Sequence, residues 1–297
     1  LEKTFLILCV LFSLLLFSCT KKTEREIPEK KIEPEQIEKT GEKTEDKSVS
    51  TPDMTAIESY KYTWSKTDAM PPVVIIIDDF GQNAGQLLDD FSALPEEIAF
   101  SILPDLPYTQ TAARLAGRTN HETLIHIPMQ ALDHKANPGK RYLQTGMDKY
   151  AISDLLQDFY AQIPNAIAAN NHMGSEVTAD LSTMISILEE LDNLGLYFLD
   201  SATTNKSAAF TAAKNLGLKI GKRDIFLDVP DNSDATIINK IEGLAKYKGR
   251  NEPVVIITHC HNREKLNALQ KFLTQIDNMG IELISVSKLF RKLGYPA

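Results

Sequence analysis

Six places in the chain set a carboxylate or an imidazole directly after a short apolar run. Asp78 and Asp79 follow Val73 to Ile77, His126 follows Leu124-Ile125, and Asn170, Asn171 and His172 follow Ala168-Ala169. Asp200 follows Phe198-Leu199, Asp228 follows Phe226-Leu227, and Thr258 and His259 follow Ile256-Ile257. Carboxylates and imidazoles exchange protons near neutral pH, so a convergence of these groups implies acid-base or metal-assisted chemistry. Taken singly, each has a plainer reading, as a helix cap or a hydrogen-bonded core histidine. Six of them at one kind of position make chance a poor account.

The elements that must position these groups are short strands. Val73 to Ile77, Ile98 to Leu103, Thr123 to Met129, Ala166 to Met173, Leu196 to Asp200, Ile225 to Val229, Val254 to His259 and Ile281 to Val286 are apolar and largely β-branched, as strands buried on both faces should be. Between them run helical stripes. Ile152, Leu155, Leu156, Phe159 and Ile163 share one face, as do Leu181, Met184, Ile185, Leu188 and Leu191, and later Leu266, Leu269, Leu273 and Ile276. Gly195, Gly217 and Gly280 stand where helix C-caps would precede the next strand. This alternation predicts an α/β fold, a distorted (β/α) barrel of seven or eight mostly parallel strands, with the polar residues on the carboxyl rim. An open doubly wound sheet would carry a glycine-rich phosphate loop after the first strand, and Asp78-Asp79-Phe80-Gly81 is not one.

These pieces carry a family resemblance. Ile-Asp-Asp-Phe-Gly (77 to 81), Phe-Ser-Ile-Leu-Pro (100 to 104), Glu-Thr-Leu-Ile-His-Ile-Pro-Met (122 to 129), Asn-Asn-His-Met-Gly-Ser (170 to 175), Phe-Leu-Asp-Ser (198 to 201) and Ile-Thr-His (257 to 259) resemble the divergent polysaccharide deacetylases over residues 72 to 290. The wider superfamily removes acetyl groups from N- or O-acetylated sugars with a divalent metal. The resemblance implies Asp78 as general base, Asp79 and His126 as ligands of a divalent metal, and His259 as the acid that protonates the leaving amine or alkoxide; His172, at the next strand end, is placed to be the second histidine ligand, with a substrate contact or the general acid as its alternative. One Asp and two His with an open position suit catalytic zinc and equally accept cobalt or nickel. Asp200 would orient His259. Asn171 and a backbone N–H near Gly174 are substrate or oxyanion contacts, and Arg223 and Asp228 either complete the rim in the same role or form an ordinary surface ion pair. The chain departs from the wider superfamily where Gln130 replaces a second histidine, where Asn171-His172-Met173-Gly174 replaces an arginine-proline-tyrosine motif, and where no tryptophan follows Asp200. The metal site would be rearranged rather than copied.

The rest of the chain bounds where such chemistry takes place. Lys3 and an apolar run from Phe5 to Phe17 read as a signal peptide, and Leu16-Phe17-Ser18-Cys19 resembles a lipobox with Cys19 as the lipidated residue. Residues 1–19 are then a lipoprotein signal, 20–58 a disordered charged tether, 59–71 a lead-in containing Trp64, and 72–297 the barrel. This predicts an exported envelope protein anchored to a membrane by lipid. Cys260 is the one cysteine left beyond the leader, so no intramolecular disulfide is expected. A net charge of -8 argues against nucleic acid as a partner. The functional expectation is an acetylated-glycan hydrolase of the envelope. The alternative is a non-catalytic glycan-binding or regulatory protein on the same barrel. A two-metal phosphoesterase would need more carboxylates than this rim offers. His121, His134, His261 and Cys260 carry no expected role.

Overall fold

The computed structural model describes residues 55–64 and 70–295. The signal segment, Cys19 and all but the last four residues of the tether lie outside the described residues. Eight strands, β1 (Val73–Phe80), β2 (Ala99–Ile102), β3 (Thr123–Met129), β4 (Ala166–Met173), β5 (Tyr197–Asp200), β6 (Gly221–Lys222), β7 (Ile225–Phe226) and β8 (Val254–His259), form one sheet. The helices are α1 (Thr55–Glu58), α2 (Gln86–Ser92), α3 (Thr109–Arg118), α4 (Lys149–Gln162), α5 (Leu181–Asn193), α6 (Ala209–Leu216), α7 (Asp234–Gly243), α8 (Arg263–Asn278) and α9 (Val286–Lys292).

All pairings are parallel, in the order β6-β5-β4-β3-β2-β1-β8-β7. β6 and β7 stand at opposite ends of this order, yet only Arg223 and Asp224 separate them in the chain. A chain step of that length reaches at most about 11 Å, so the sheet must curl until its edges almost meet. The seam is direct: the Arg223 amide donates to the Asp200 carbonyl at 2.9 Å, and the next amide, Asp224, donates to the Val255 carbonyl at 2.8 Å. A single extended segment, split between two neighbours, therefore closes the barrel.

Strand alternation then divides the side chains. Val74, Ile76, Ala99, Leu124, Ala168, Leu199, Val255 and Ile257 form the inner cluster, and Val286, Leu289 and Phe290 of α9 cover its amino-terminal end. Two residues further along each strand the same inward face turns polar, with Asp78, Ser101, His126, Asn170 and His259. Register places Asp78 opposite His259 and His126 opposite Asn170. The outward residues Ile75, Ile77, Ile125, Ile127, Ala169, Val254 and Ile256 pack against the helices in the larger core.

Four boundaries differ from expectation. Ile281 to Val286 does not form a strand: it makes one bridge, Val73 to Leu283, and then turns into α9. Ser285 caps that helix by accepting from the Lys288 amide, and Glu122 accepts from the Ser287 amide at 2.9 Å, which favours a helix start over an extended chain. Of Ile225 to Val229 only the first two residues pair, while β6 arises where no strand is legible. Finally, the structured part begins before residue 59, because α1 buries Ile57. Trp64 is buried beneath Lys248, and Glu242 accepts from Tyr60 Oη at 3.1 Å and from the Thr63 amide at 2.9 Å, tying this lead-in to α7.

Candidate active site

The site starts from a break in alternation. Asp78 points into the barrel as its position on β1 requires, and Asp79 should point out. It does not, because Asp79 adopts a left-handed backbone with φ 71° and the β1-β2 register shifts after Ile77. Such a conformation costs a non-glycine residue on the order of 1 kcal/mol. It brings two adjacent carboxylates to one mouth.

There Asp79 meets two histidines. His126 Nε2 lies 3.2 Å from Asp79 Oδ1, His172 Nδ1 lies 3.0 Å from the same oxygen, and the two nitrogens are 3.1 Å apart. These three atoms form a nearly equilateral triangle, and Asp79, His126 and His172 are the group able to hold a metal ion among the described residues. Asn170 sets the tautomer. Its Nδ2 donates to Asp78 Oδ1 at 2.9 Å, so its Oδ1 faces Ser101 Oγ at 2.6 Å and His126 Nδ1 at 2.8 Å. His126 therefore donates from Nδ1 and, in its neutral form, turns an Nε2 lone pair toward the triangle. Asp79 Oδ1, buried, has no partner with hydrogen-bond geometry. Acceptors converging on an orphaned carboxylate oxygen are a donor set for a cation, and the residues fit a divalent metal.

Another imidazole stands on the neighbouring strand, opposite Asp78 in register. His259 Nδ1 lies 2.8 Å from Asp228 Oδ2, which also accepts from Lys265 Nζ. Phe226 stacks on the His259 ring, whose other face carries His261.

A profile of the family described as divergent polysaccharide deacetylase matches residues 75–290. The chain belongs to the divergent polysaccharide deacetylase family. The uncharacterized protein YibQ of Escherichia coli K12 is 36% identical over 192 residues, 64% of this chain and 58% of that protein, so the chain spans less than two thirds of that relative. An uncharacterized protein of Haemophilus influenzae is 31% identical over 224 residues, 75% of this chain and 78% of the relative. Among solved structures, an uncharacterized protein from Agrobacterium tumefaciens C58 superposes with a TM-score of 0.68 at 25% identity, covering 78% of this chain and 94% of that one.

Within this deacetylase-family barrel the remaining expected residues separate. Asp200 does not touch His259: its Oδ1 accepts from the Ala202 amide at 2.8 Å, and the carboxylate on the imidazole is Asp228. The seam explains the exchange, since β7 rather than β5 neighbours β8. Asn171 is committed to the framework, its Oδ1 accepting from the Ser201 amide at 2.8 Å and its Nδ2 donating to the Met173 carbonyl at 2.8 Å, which leaves little for substrate. It ties the β4 and β5 ends together. Arg223 does not pair with Asp228. Its Nε and Nη2 donate to the Ser201 and Ala202 carbonyls at 2.6 and 2.8 Å, and its guanidinium lies flat over Phe226. Gly174 has φ 82°, and a Cβ there would come 2.9 Å from Met129 Cβ, so only glycine fits the turn beside His172.

Two contributors carried no expected role. His261 Nε2 lies 2.6 Å from Asp79 Oδ2, the oxygen facing away from the triangle. Asn170 is the hub between Asp78, Ser101 and His126. The signal for His261 was available in the sequence: it lies two positions past His259, the spacing at which an extended chain repeats a face. His121, by contrast, is buried between the Ile98 and Ser92 carbonyls away from the site, and His134 is exposed.

Electrostatics follow from this packing. Burial pushes the Asp78 carboxyl above the usual carboxylate range, against the pull of His126 and His259. Burial also opposes ionisation of Asp79, but His126, His172 and His261 around it hold it far below that range. Burial works against a charged His126, yet Asp78 and Asp79 outweigh it and raise the imidazole to about 9. His259 is likewise raised, with Asp228 overcoming burial, while Asp228 falls to about 2 because His259 and Lys265 outweigh its own desolvation. Burial pushes the Cys260 thiol up and keeps it inert.

Proposed function

We propose that this protein is a metal-dependent deacetylase that hydrolyses the acetyl group of an N- or O-acetylated glycan of the cell envelope. The observation that carries the reading is the triangle of Asp79 Oδ1, His126 Nε2 and His172 Nδ1, with edges of 3.0 to 3.2 Å around an oxygen that has no hydrogen-bond partner. Asp79, His126 and His172 would hold a zinc ion. A divalent cation so held lowers the pKa of a bound water and polarises a carbonyl.

The chain's own groups supply the proton transfers. Asp78 sits beside the triangle, 3.6 Å from His126 Nε2, and accepts a proton from the attacking water; its raised affinity for protons suits a base working near neutral pH. As the acetyl carbon gains the water oxygen and loses its bond to the sugar nitrogen or oxygen, His259 delivers a proton to the departing atom. Asp228 fixes the His259 tautomer with the proton on Nδ1 and favours the charged form. His261 and Asn170 position the two ligands they touch, and the backbone at Gly174 offers an N–H on the oxyanion side. Export through residues 1–19 and lipidation at Cys19 would place the barrel at the end of a tether, within reach of envelope glycans.

The test is acetate release from acetylated glycans by the full chain without its lipid, with and without a chelator. The reading expects release that stops on chelation and returns with added zinc. Chelator-resistant release would reject the metal mechanism, and no release from a broad panel would favour a glycan-binding protein on the same barrel.

A further inference from the structure

Beside the seam, a cavity of about 370 Å³ opens between the β7 segment and α7. Its walls bring together Arg223, Lys240 and Lys246, with Phe226, Val229 and Asn239. In a chain of net charge -8 this is a local excess of cations. Among the described residues neither lysine has a carboxylate at ion-pair distance, and Arg223 leaves Nη1 without a partner while Nε and Nη2 are spent on carbonyls. The acid in the wall, Asp224, is already used: its oxygens accept from Arg250 Nη1 at 2.6 Å and from the Val255 amide at 2.9 Å. Lys240 alone could be read as a cation complementing the carboxyl end of α7. That does not account for Arg223 arriving from the seam or Lys246 from beyond the helix.

We propose that this cavity binds an oxyanion, a carboxylate or phosphate, carried on the glycan next to the acetylated sugar. The proposal rests on the deacetylase reading for the identity of the polymer and adds that the polymer is acidic. Arg223 presents its Nη1 donors, which the two carbonyl bonds and the stacking 3.6 Å over Phe226 hold in place, and the Asn239 amide adds a neutral donor. The cavity also communicates with the chemistry. Phe226 touches both the Arg223 guanidinium and the His259 ring, so an anion held there sits one aromatic ring from the proposed acid. Burial lowers the Lys240 ammonium, Asp228 opposes, and the charges of Arg223 and Lys246 add to the lowering, a repulsion that a bound anion would relieve.

The test compares three acetylated oligosaccharides of equal length by calorimetry at low ionic strength: a neutral N-acetylglucosamine oligomer, one in which alternate units carry a free carboxylate, and one bearing phosphate. At least one acidic oligomer should bind about tenfold more tightly than the neutral one, and Lys240→Gln/Lys246→Gln should erase the difference while the melting temperature holds. The arm that binds identifies the oxyanion. Equal affinities, or a preference that survives the double substitution, would overturn the proposal. Inorganic phosphate followed by NMR gives a second reading: it should shift the Asn239 side-chain amide and Arg223 Nε–H, and no shift together with no acidic-oligomer binding also overturns it. Failure of the deacetylase reading looks different, as oxyanion binding intact with no acetate released from any arm.

Discussion

Two histidine-carboxylate clusters lie side by side at the barrel mouth, bridged by His261, built from the same residue types and wired differently. Around Asp79, the outer nitrogen of His126 is given to the Asn170 amide, so lone pairs turn inward toward an unpartnered oxygen. Around Asp228, the carboxylate itself takes the imidazole Nδ1, and Lys265 takes the same oxygen. The first arrangement leaves room for a cation; the second gathers its donors on Asp228 Oδ2 and, although Oδ1 stays unpartnered, brings no imidazole lone pairs to it, which leaves His259 Nε2 free to pass a proton. What an imidazole does here is decided by which partner holds its far nitrogen.

Breaking the first cluster should have the largest effect. Asp79→Asn or His126→Ala should take bound zinc from about one per chain to near zero by elemental analysis and lower acetate release by about a thousandfold or more. Breaking the second should separate the two roles: His259→Ala should keep the metal and lose about 100- to 10,000-fold in kcat, the range general acid catalysis supplies. If His259→Ala loses the metal as well, the two clusters are one. Removing the hub tests the wiring itself. Asn170→Ala should weaken zinc affinity by about 10- to 100-fold in a competitive chelator titration while both histidines remain.

Asp228→Asn sharpens the contrast through pH. His259 must be protonated to act, so the rate falls as pH rises through its pKa, which the Asp228 carboxylate raises. Losing that charge should move the falling limb of the pH-kcat profile to lower pH. An unmoved limb would assign it to another group. The smallest effect belongs to His261, which touches the far oxygen of Asp79. His261→Ala should weaken zinc affinity by a few-fold, roughly within the lower end of what outer partners contribute, and His261→Asn should recover part of it by donating to the same oxygen.

The strands and their polar ends were legible because a parallel strand buried on both faces leaves a β-branched run that stops where water or chemistry begins. Asp78, His126 and His259 follow from that alone. Asp79 does not, since alternation sends it outward and only a left-handed backbone returns it, a conformation that sequence pattern does not encode for aspartate. The exchange of Asp200 for Asp228 has a topological cause. Which carboxylate neighbours His259 depends on how the barrel closes, and the closing strands, β6 and β7, are two residues each and too short to show a period. Ile281 to Val286 misleads for the opposite reason: Ile284 and Val286 line the barrel floor at a helix start while Ile281 and Leu283 pack in the outer core, and a six-residue run cannot separate strand from helix entry. His261 reads as part of the entry to α8, next to the capping Asn262, and only its spacing of two from His259 points to the site.

The claim under all of this is that Asp79, His126 and His172 share one cation. Crystals grown with zinc and measured on both sides of the zinc absorption edge test it directly. The account predicts one anomalous peak at about 2.0–2.2 Å from Asp79 Oδ1, His126 Nε2 and His172 Nδ1 together. A peak elsewhere, or none at saturating zinc with these side chains ordered, would contradict it.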